Sequence, residues 1–380
     1  MNDSPALDAT PTATRDTDAR ARALAGAAIP TLLMSLVQIT GDRRWLQEPY
    51  RPKRDVSLFA EESGGLSDEA QQAVRDAMAQ VLDELADGTR QLPPLPDDAT
   101  FLEMMRTCLG EMIPPEYVPM ALEEMGMRDR AVKWQRPPPD ARVKALEVLV
   151  IGAGVSGLAA AVRLKEMGIP FTVLEKNQEV GGTWAENDYP GSGVDTPNHF
   201  YSYSFAPNLR WTSNYSKRAE VWDYLRGVAH DLQLRDAIRF GIEVTRMQWH
   251  EDRQQWEVHA RAADGTQSVR WARVVVTAVG QLNRPKAAGF PGMETFPGES
   301  WHSARWRHDV PLEGKNVAIV GTGASAMQFL PAVAQVAAQV TIFQRSPQWA
   351  RPQPDYHKSV SDGNIWLMEN VPYYYPWYRF

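Results

Sequence analysis

Cysteine is all but absent: Cys108 is the only one in 380 residues. No intrachain disulfide can form, and any chemistry built on a redox-active cysteine pair is excluded. Cys108 lies in an apolar helical pattern over residues 101–109 and reads as core filling. A basic surplus is also missing. The net charge of -7 and pI near 5.6 argue against a nucleic-acid partner, because binding phosphates along a strand needs a basic face. No apolar run approaches the roughly 20 residues that cross a bilayer. The first 22 residues lack the apolar stretch of a secretory signal, so a cytoplasmic protein without a membrane span is expected. The remaining composition, 43% hydrophobic and 23% charged, is that of an ordinary globular chain.

No strand pattern precedes residue 145. Residues 1–15 are small, polar and proline-broken, and are expected to be disordered. Helical stripes follow: a helix or helix pair over residues 16–39 interrupted at Pro30, and a helix over 65–88 capped by Asp68 and Gln71. Val74, Met78, Val81 and Leu85 share one face of that second helix. Two more helices are expected, over 98–109 and 116–125. Met104, Met105, Met112, Met120, Met125 and Met127 are either adaptable contact surface or flexible core filler. The proline-rich run 135–140 reads as a stiff linker. The expected organisation is a helical extension over 1–140, a first nucleotide-binding domain over 141–290 and a second over 291–380. The fold class is α/β, with two Rossmann-like dinucleotide-binding domains after a small all-α domain.

The first nucleotide unit opens with the apolar strand Val148-Leu149-Val150-Ile151. It runs into Gly152-Ala153-Gly154-Val155-Ser156-Gly157, then a helix, then a second strand ending in Glu175. Spaced glycines let a backbone approach a pyrophosphate, the helix N-terminus offers it N–H groups, and Glu175 can accept from ribose hydroxyls. A glycine- and aromatic-rich loop over 181–197 is long enough to wrap a large flat cofactor. Tyr201, Tyr203 and Phe205 alternate like a strand. Further alternation near 243–245 and 256–260 predicts a hairpin or meander, and residues 273–280 a returning strand. The second unit repeats the opening with Gly321-Thr322-Gly323-Ala324-Ser325-Ala326, but its second strand ends in Gln344-Arg345-Ser346. Arginine can bind a 2′-phosphate that an acid would repel, so the second nucleotide is expected to be NADPH. A sheet of this type needs more strands than follow, so the chain reads as cut short inside a domain.

Between the two turns stands Phe296-x-Gly298-x-x-x-His302-x-x-x-Trp306. This spacing resembles the fingerprint of the Baeyer–Villiger monooxygenases, with Arg307 where proline or aspartate is usual. Gly181-Gly182-Thr183-Trp184, Tyr189-Pro190-Gly191, Asp195 and Phe343-Gln344-Arg345-Ser346-Pro347 are similar to that family as well. The 4-hydroxyacetophenone type is the nearest in likeness. The resemblance implies FAD and NADPH as cofactors, a ketone and O2 as substrates, and oxygen insertion through a C4a-peroxyflavin to give an ester. It implies cofactor contacts at Gly152, Gly154, Gly157, Glu175, Gly182, Thr183, Trp184, Ala185, Glu186, Asp195, Tyr201 and Val244. For NADPH it implies Gly321, Thr322, Gly323, Ala324, Ser325, Ala326, Met327, Gln328, Arg345 and Ser346. Asp195 and His302 would be the catalytic pair, with His302 orienting the joint between the domains. The arginine that stabilises the peroxide would lie beyond residue 380, and the helical extension would form a homodimer. Two alternatives stay open: a flavin monooxygenase acting on nitrogen or sulfur, and a non-catalytic nucleotide-binding or dimerisation module.

Overall fold

A computed structural model describes residues 17–54, 61–136, 138–286 and 289–380. The expectation for residues 1–15 lies outside them. The chain divides into two units. One holds the residues up to Arg130 with Asn198–Asn214 and Lys358–Phe380; the other holds Ala131–Pro197 and Tyr215–His357.

The first unit is built on helices α1 (Thr17–Ala25), α2 (Ile29–Thr40), α3 (Asp68–Ala86), α4 (Asp98–Leu109) and α5 (Val118–Glu124). Pro30 sits in the first turn of α2, where its missing N–H costs nothing, so the expected pair separates there. Every residue of α2 from Thr31 to Ile39 is buried, as befits a helix that is apolar all round. The cap of α3 differs from expectation. Ser67, one residue earlier, is extended and its side chain accepts from the Ala70 N–H, while the Gln71 amide donates to the Leu66 carbonyl. The methionines divide: Met104, Met105, Met125 and Met127 fill the core, whereas Met112 and Met120 are exposed. Cys108 packs against the same core, and burial pushes its thiol up to about 12, which fits a packing role.

Two expectations about chain segments are corrected here. The helices Asp362–Asn370 and Tyr374–Arg379 were expected within the second nucleotide domain, by linear order. They belong instead to the helical core: Leu367, Met368, Tyr374 and Trp377 pack with α1–α4, and the Trp377 indole donates to Gln38 Oε1 at 2.8 Å. The large rings of this tail are buried in that core, where each removes much apolar surface from water. Residues 201–205 form turns rather than a strand. Tyr203 and Phe205 stack on each other at 4.6 Å, so the alternating rings meet without a partner strand.

Among the described residues the second unit contains nine strands: β1 (Val148–Ile151), β2 (Phe171–Leu174), β3 (Ile238–Arg239), β4 (Ile242–His250), β5 (Gln255–Ala262), β6 (Gln267–Ala272), β7 (Val274–Thr277), β8 (Asn316–Val320) and β9 (Gln339–Phe343). A parallel sheet runs β3-β2-β1-β7, with Val148 opposite Phe171 on one side and Val274 on the other. Strands β4-β5-β6 form the expected antiparallel meander, and β8 pairs in parallel with β9. Helix α6 (Val155–Glu166) connects β1 to β2, α7 (Arg218–Asp231) precedes β3, and α8 (Ala324–Val336) connects β8 to β9. The whole is a mixed α/β chain with parallel sheets. Among the described residues no helix is long and apolar enough to cross a membrane.

His199 is buried in the first unit, edge-on to Tyr375 and Tyr378, and among the described residues its Nε2 has no hydrogen-bond partner. Burial pushes its pKa down from 6.5 to about 4. The folded chain therefore refuses a proton that the unfolded chain accepts, and stability falls as pH drops from about 6.5 to about 4, by up to about 3 kcal/mol. Urea unfolding followed by tryptophan fluorescence should show this slope in the wild type and a flatter one in His199→Leu.

Candidate functional site

The first glycine turn is tightly packed. Gly152 has φ +98°, and a Cβ there would lie 2.6 Å from the Ala278 carbonyl oxygen, just beyond β7. A Cβ on Gly157 would lie 1.9 Å from the Gly152 carbonyl oxygen, so the first turn of α6 rests directly on the loop. Gly154 and Gly182 approach so closely that a Cβ on Gly182 would lie 3.0 Å from the Gly154 Cα. No side chain caps the start of α6, whose N-terminus carries the positive end of the helix dipole.

Glu175, at the end of β2, is 3% exposed. Its Oε2 accepts from the Ala153 N–H at 2.6 Å and its Oε1 from the Asn177 N–H at 2.8 Å. The expected ribose acceptor thus already ties the glycine turn to the loop after β2. The Gly181 N–H donates to the Ala153 carbonyl at 3.0 Å, which brings Gly182 and the short helix Thr183–Glu186 beside the turn.

Two residues of α7 fix this loop, and the sequence reading missed both. The Trp222 indole donates to the Val180 carbonyl at 2.8 Å and fills the space a side chain on Gly181 would need. Arg218 donates to the carbonyls of Trp184 at 2.7 Å and Ala185 at 2.9 Å, with its guanidinium 4.4 Å over the Trp222 ring. An arginine and an indole four residues apart share a helix face, a usable signal in retrospect.

Glu186 is the charged centre of the region, with 7% of its side chain exposed. Lys176 Nζ lies 2.9 Å from Oε1, Asn177 donates at 2.9 Å, and Arg305 lies 3.2 Å from Oε2. Burial pushes its carboxyl up, but the hydrogen bonds from Asn177 and Lys176 and the charges of Lys176 and Arg305 outweigh this and leave it below the usual range. A cleft of about 530 Å³ opens alongside, lined by Lys176, Asn177, Gly241, Arg261 and Arg305 among others.

The loop beyond leads to α8. The Tyr189 hydroxyl donates to Gln328 Oε1 at 2.8 Å, and Gln328 Nε2 donates to the Gly193 carbonyl at 2.8 Å. Gln328, expected on a nucleotide, uses both ends of its amide to hold this loop. Asp195 is exposed, with Thr196 donating to it at 3.4 Å, and its charge helps raise the phenol of Tyr356, which burial raises first. Val244 packs partly buried on the cluster around Leu149 and Leu174. Tyr201 is on the first unit, at its surface.

The second turn is open where the first is closed. Gly321 has φ +99°, yet a Cβ there or on Gly323 would meet nothing within 4 Å. Thr322 Oγ1 accepts from Gln344 Nε2 at 3.2 Å. Ala324, Ser325, Ala326 and Met327 form the first turn of α8, and Met327 is exposed. Arg345 and Ser346 are exposed, and among the described residues Arg345 has no ion-pair partner. In the fingerprint stretch, His302 Nδ1 accepts from the Ala304 N–H at 3.1 Å and caps the turn Ser303–Arg305. Trp306 lies 5.2 Å from the Phe329 ring of α8, and His308 pairs with Asp188 at 3.0 Å. The stretch thus reaches both the Glu186 loop and α8.

Residues 145–353 match the model of the family described as flavin-binding monooxygenase-like. The chain belongs to that family. It is 38% identical to the uncharacterized monooxygenase y4iD of Sinorhizobium fredii over 94% of this chain and 53% of the relative. It is 46% identical to a Baeyer-Villiger monooxygenase of Streptomyces coelicolor over 60% of this chain and 43% of that one. Among solved structures, OTEMO in complex with FAD and NADP matches with a TM-score of 0.55 at 31% identity, over 60% of this chain and 44% of that chain. Cyclohexanone monooxygenase from Rhodococcus sp. Phi1 bound to NADP+ matches at 0.54 and 35%, over 60% and 42%. The chain spans about half the length of the curated relatives it matches.

The Glu175 tie is testable in the isolated protein. Glu175→Gln turns an amide donor toward one of two N–H groups and should cost about 1–3 kcal/mol, because a buried donor loses its acceptor. Urea unfolding curves that coincide with those of the wild type would show that the tie carries no load.

Proposed function

We propose that this chain carries the FAD- and NADPH-binding parts of a Baeyer–Villiger monooxygenase that inserts one oxygen atom from O2 beside the carbonyl of an aryl ketone, giving an ester. The observation that carries this reading is the fingerprint Phe296, Gly298, His302 and Trp306 standing between two glycine turns and touching the surroundings of both. The names of the Streptomyces relative and of the structural neighbours support it. In this reading the β3-β2-β1-β7 sheet with its meander is the first dinucleotide domain and the β8-β9 pair begins the second.

The residues present fit the cofactors. The first turn has no room for side chains at Gly152 and Gly157 and no side chain capping the start of α6, which suits a pyrophosphate pressed against backbone. Unpaired, exposed Arg345 at the end of β9 suits a 2′-phosphate. Bound FAD would supply the redox chemistry that lets O2 react with a ketone. The chain's own residues would do the rest. Glu175 fixes the turn that binds, and Arg218 and Trp222 hold residues 180–186 against it. Asp195 places a negative charge at the rim, and His302 shapes the turn that presents Arg305. Exposed Leu109, Met112, Tyr117 and Met120 support a homodimer through the helical unit, and a cytoplasmic location fits the same reading.

The test is direct. Protein purified with FAD should be yellow, oxidise NADPH faster than NADH, and convert an aryl ketone to its ester under O2. Retained flavin with amine or thioether oxidation but no ester from any ketone would favour the nitrogen- or sulfur-oxidising alternative. Protein that binds no flavin would overturn the proposal.

A further inference from the structure

Glu186 gathers four separate stretches of chain. Lys176 and Asn177 follow β2, Asn283 follows β7, Glu186 closes the short helix Thr183–Glu186, and Arg305 closes the fingerprint turn. Their donors reach the same carboxylate at 2.9 Å, 2.9 Å, 3.5 Å and 3.2 Å respectively for Lys176, Asn177, Asn283 and Arg305. Strands β2 and β7 flank β1, so the loops that follow them lie at the carboxyl edge of the parallel sheet, where α/β sheets take their ligands. The fingerprint turn is held locally, where the Arg305 N–H donates to the His302 carbonyl at 2.8 Å and the Ala304 N–H to His302 Nδ1, while the next residue, Trp306, lies against Phe329.

We propose that Glu186 is a positioning residue: through Arg305 it latches the fingerprint turn onto the loops at the edge of the first sheet, and so sets the joint between the two nucleotide sites before NADPH arrives. The geometry favours a charged latch over simple packing. Oε1 is shared by Lys176 and Asn177, which belong to the loop after β2, and Oε2 is left to Arg305. Oε2 has no hydrogen-bond partner among the described residues, and the Arg305 guanidinium, 3.2 Å away, is the cation that stands against it. Half of the Arg305 side chain remains in solvent, so replacing it removes the latch while sparing the core.

The latch itself is independent of the proposed reaction; its kinetic consequence rests on the Baeyer–Villiger reading. In protein without added nucleotide, amide hydrogen exchange at Ala304 and Arg305 reads the latch alone. Glu186→Gln and Arg305→Met should each speed it about tenfold, and the double variant no further, since both remove one interaction. Unchanged rates, or effects of the two substitutions that simply add, would overturn the proposal. In flavin-loaded enzyme, Arg305→Met should raise KM for NADPH about tenfold while leaving flavin affinity unchanged, and Arg305→Lys should restore most of it. Equal losses of flavin affinity and stability, without a change in KM, would mean that the pair only packs. If the wild type neither binds flavin nor oxidises NADPH, the functional reading falls, and the exchange data still decide the latch.

Discussion

The candidate site hangs on one buried carboxylate. Glu175 takes an N–H from Ala153 in the glycine turn and another from Asn177 in the loop beyond β2. A carboxylate removed from water is costly unless its oxygens find donors, and backbone N–H groups are donors that no substitution but proline removes. The same groups are orphans of a turn too tight for regular pairing. One contact therefore satisfies three polar groups and fixes the distance between the two loops that would embrace a nucleotide. Gly181 then docks on Ala153, and with it the segment that Arg218 and Trp222 secure from α7.

The second turn uses the same position differently. At the end of β9, Gln344 replaces the acid and donates to the Thr322 hydroxyl. The Thr322 N–H is not claimed by that side chain, and the hydroxyl proton is left to donate elsewhere. A Cβ added to Gly321 or Gly323 would meet nothing within 4 Å, whereas one on Gly152 or Gly157 would run into backbone. The first turn is preorganised by contacts that exist without ligand, whereas the second has open space where the first meets backbone. That difference suits one nucleotide held permanently and another exchanged each cycle.

Much of this was legible in the sequence. The apolar strands running into spaced glycines, the turn-bounded meander and the 74–85 stripe are local patterns, and periodicity reports them directly. The fingerprint's place between the two turns was legible as well. What escaped was long-range and aperiodic. Residues 358–380 follow the second nucleotide segment in the chain but bury Trp377 against Phe101 and Gln38, a choice that depends on which surface is available. Residues 201–205 have strand-like alternation with no strand to pair. Gln328 was expected on a phosphate and instead spends its amide on Tyr189 and Gly193, because the loop's carbonyl and hydroxyl needed partners inside the fold. Arg218 was passed over because nothing in its neighbourhood reveals that two loop carbonyls lie above it.

These losses and gains meet in the fingerprint stretch. Its spacing carries the family resemblance and gives His302 the part of orienting the joint; in the structure His302 Nδ1 accepts from the Ala304 N–H and shapes a turn. What the turn presents is a set of contacts of unlike character: an ion pair from Arg305 to Glu186, a polar contact of His308 Nε2 with Asp188 at 3.0 Å, and the Trp306 ring against Phe329. The polar contacts face the loops after β2, with the Arg305 ion pair among them; the ring faces the apolar side of α8. Ionic contacts tolerate small changes of angle and weaken with screening, whereas a packed indole resists being moved. A segment tied by charge to the loops after β2 and by packing to α8 can yield on its first side while holding on its second. Among the residues described, this makes the stretch a joint whose softer half is the Glu186 side, and it explains why so diagnostic a motif need contribute no reacting group of its own.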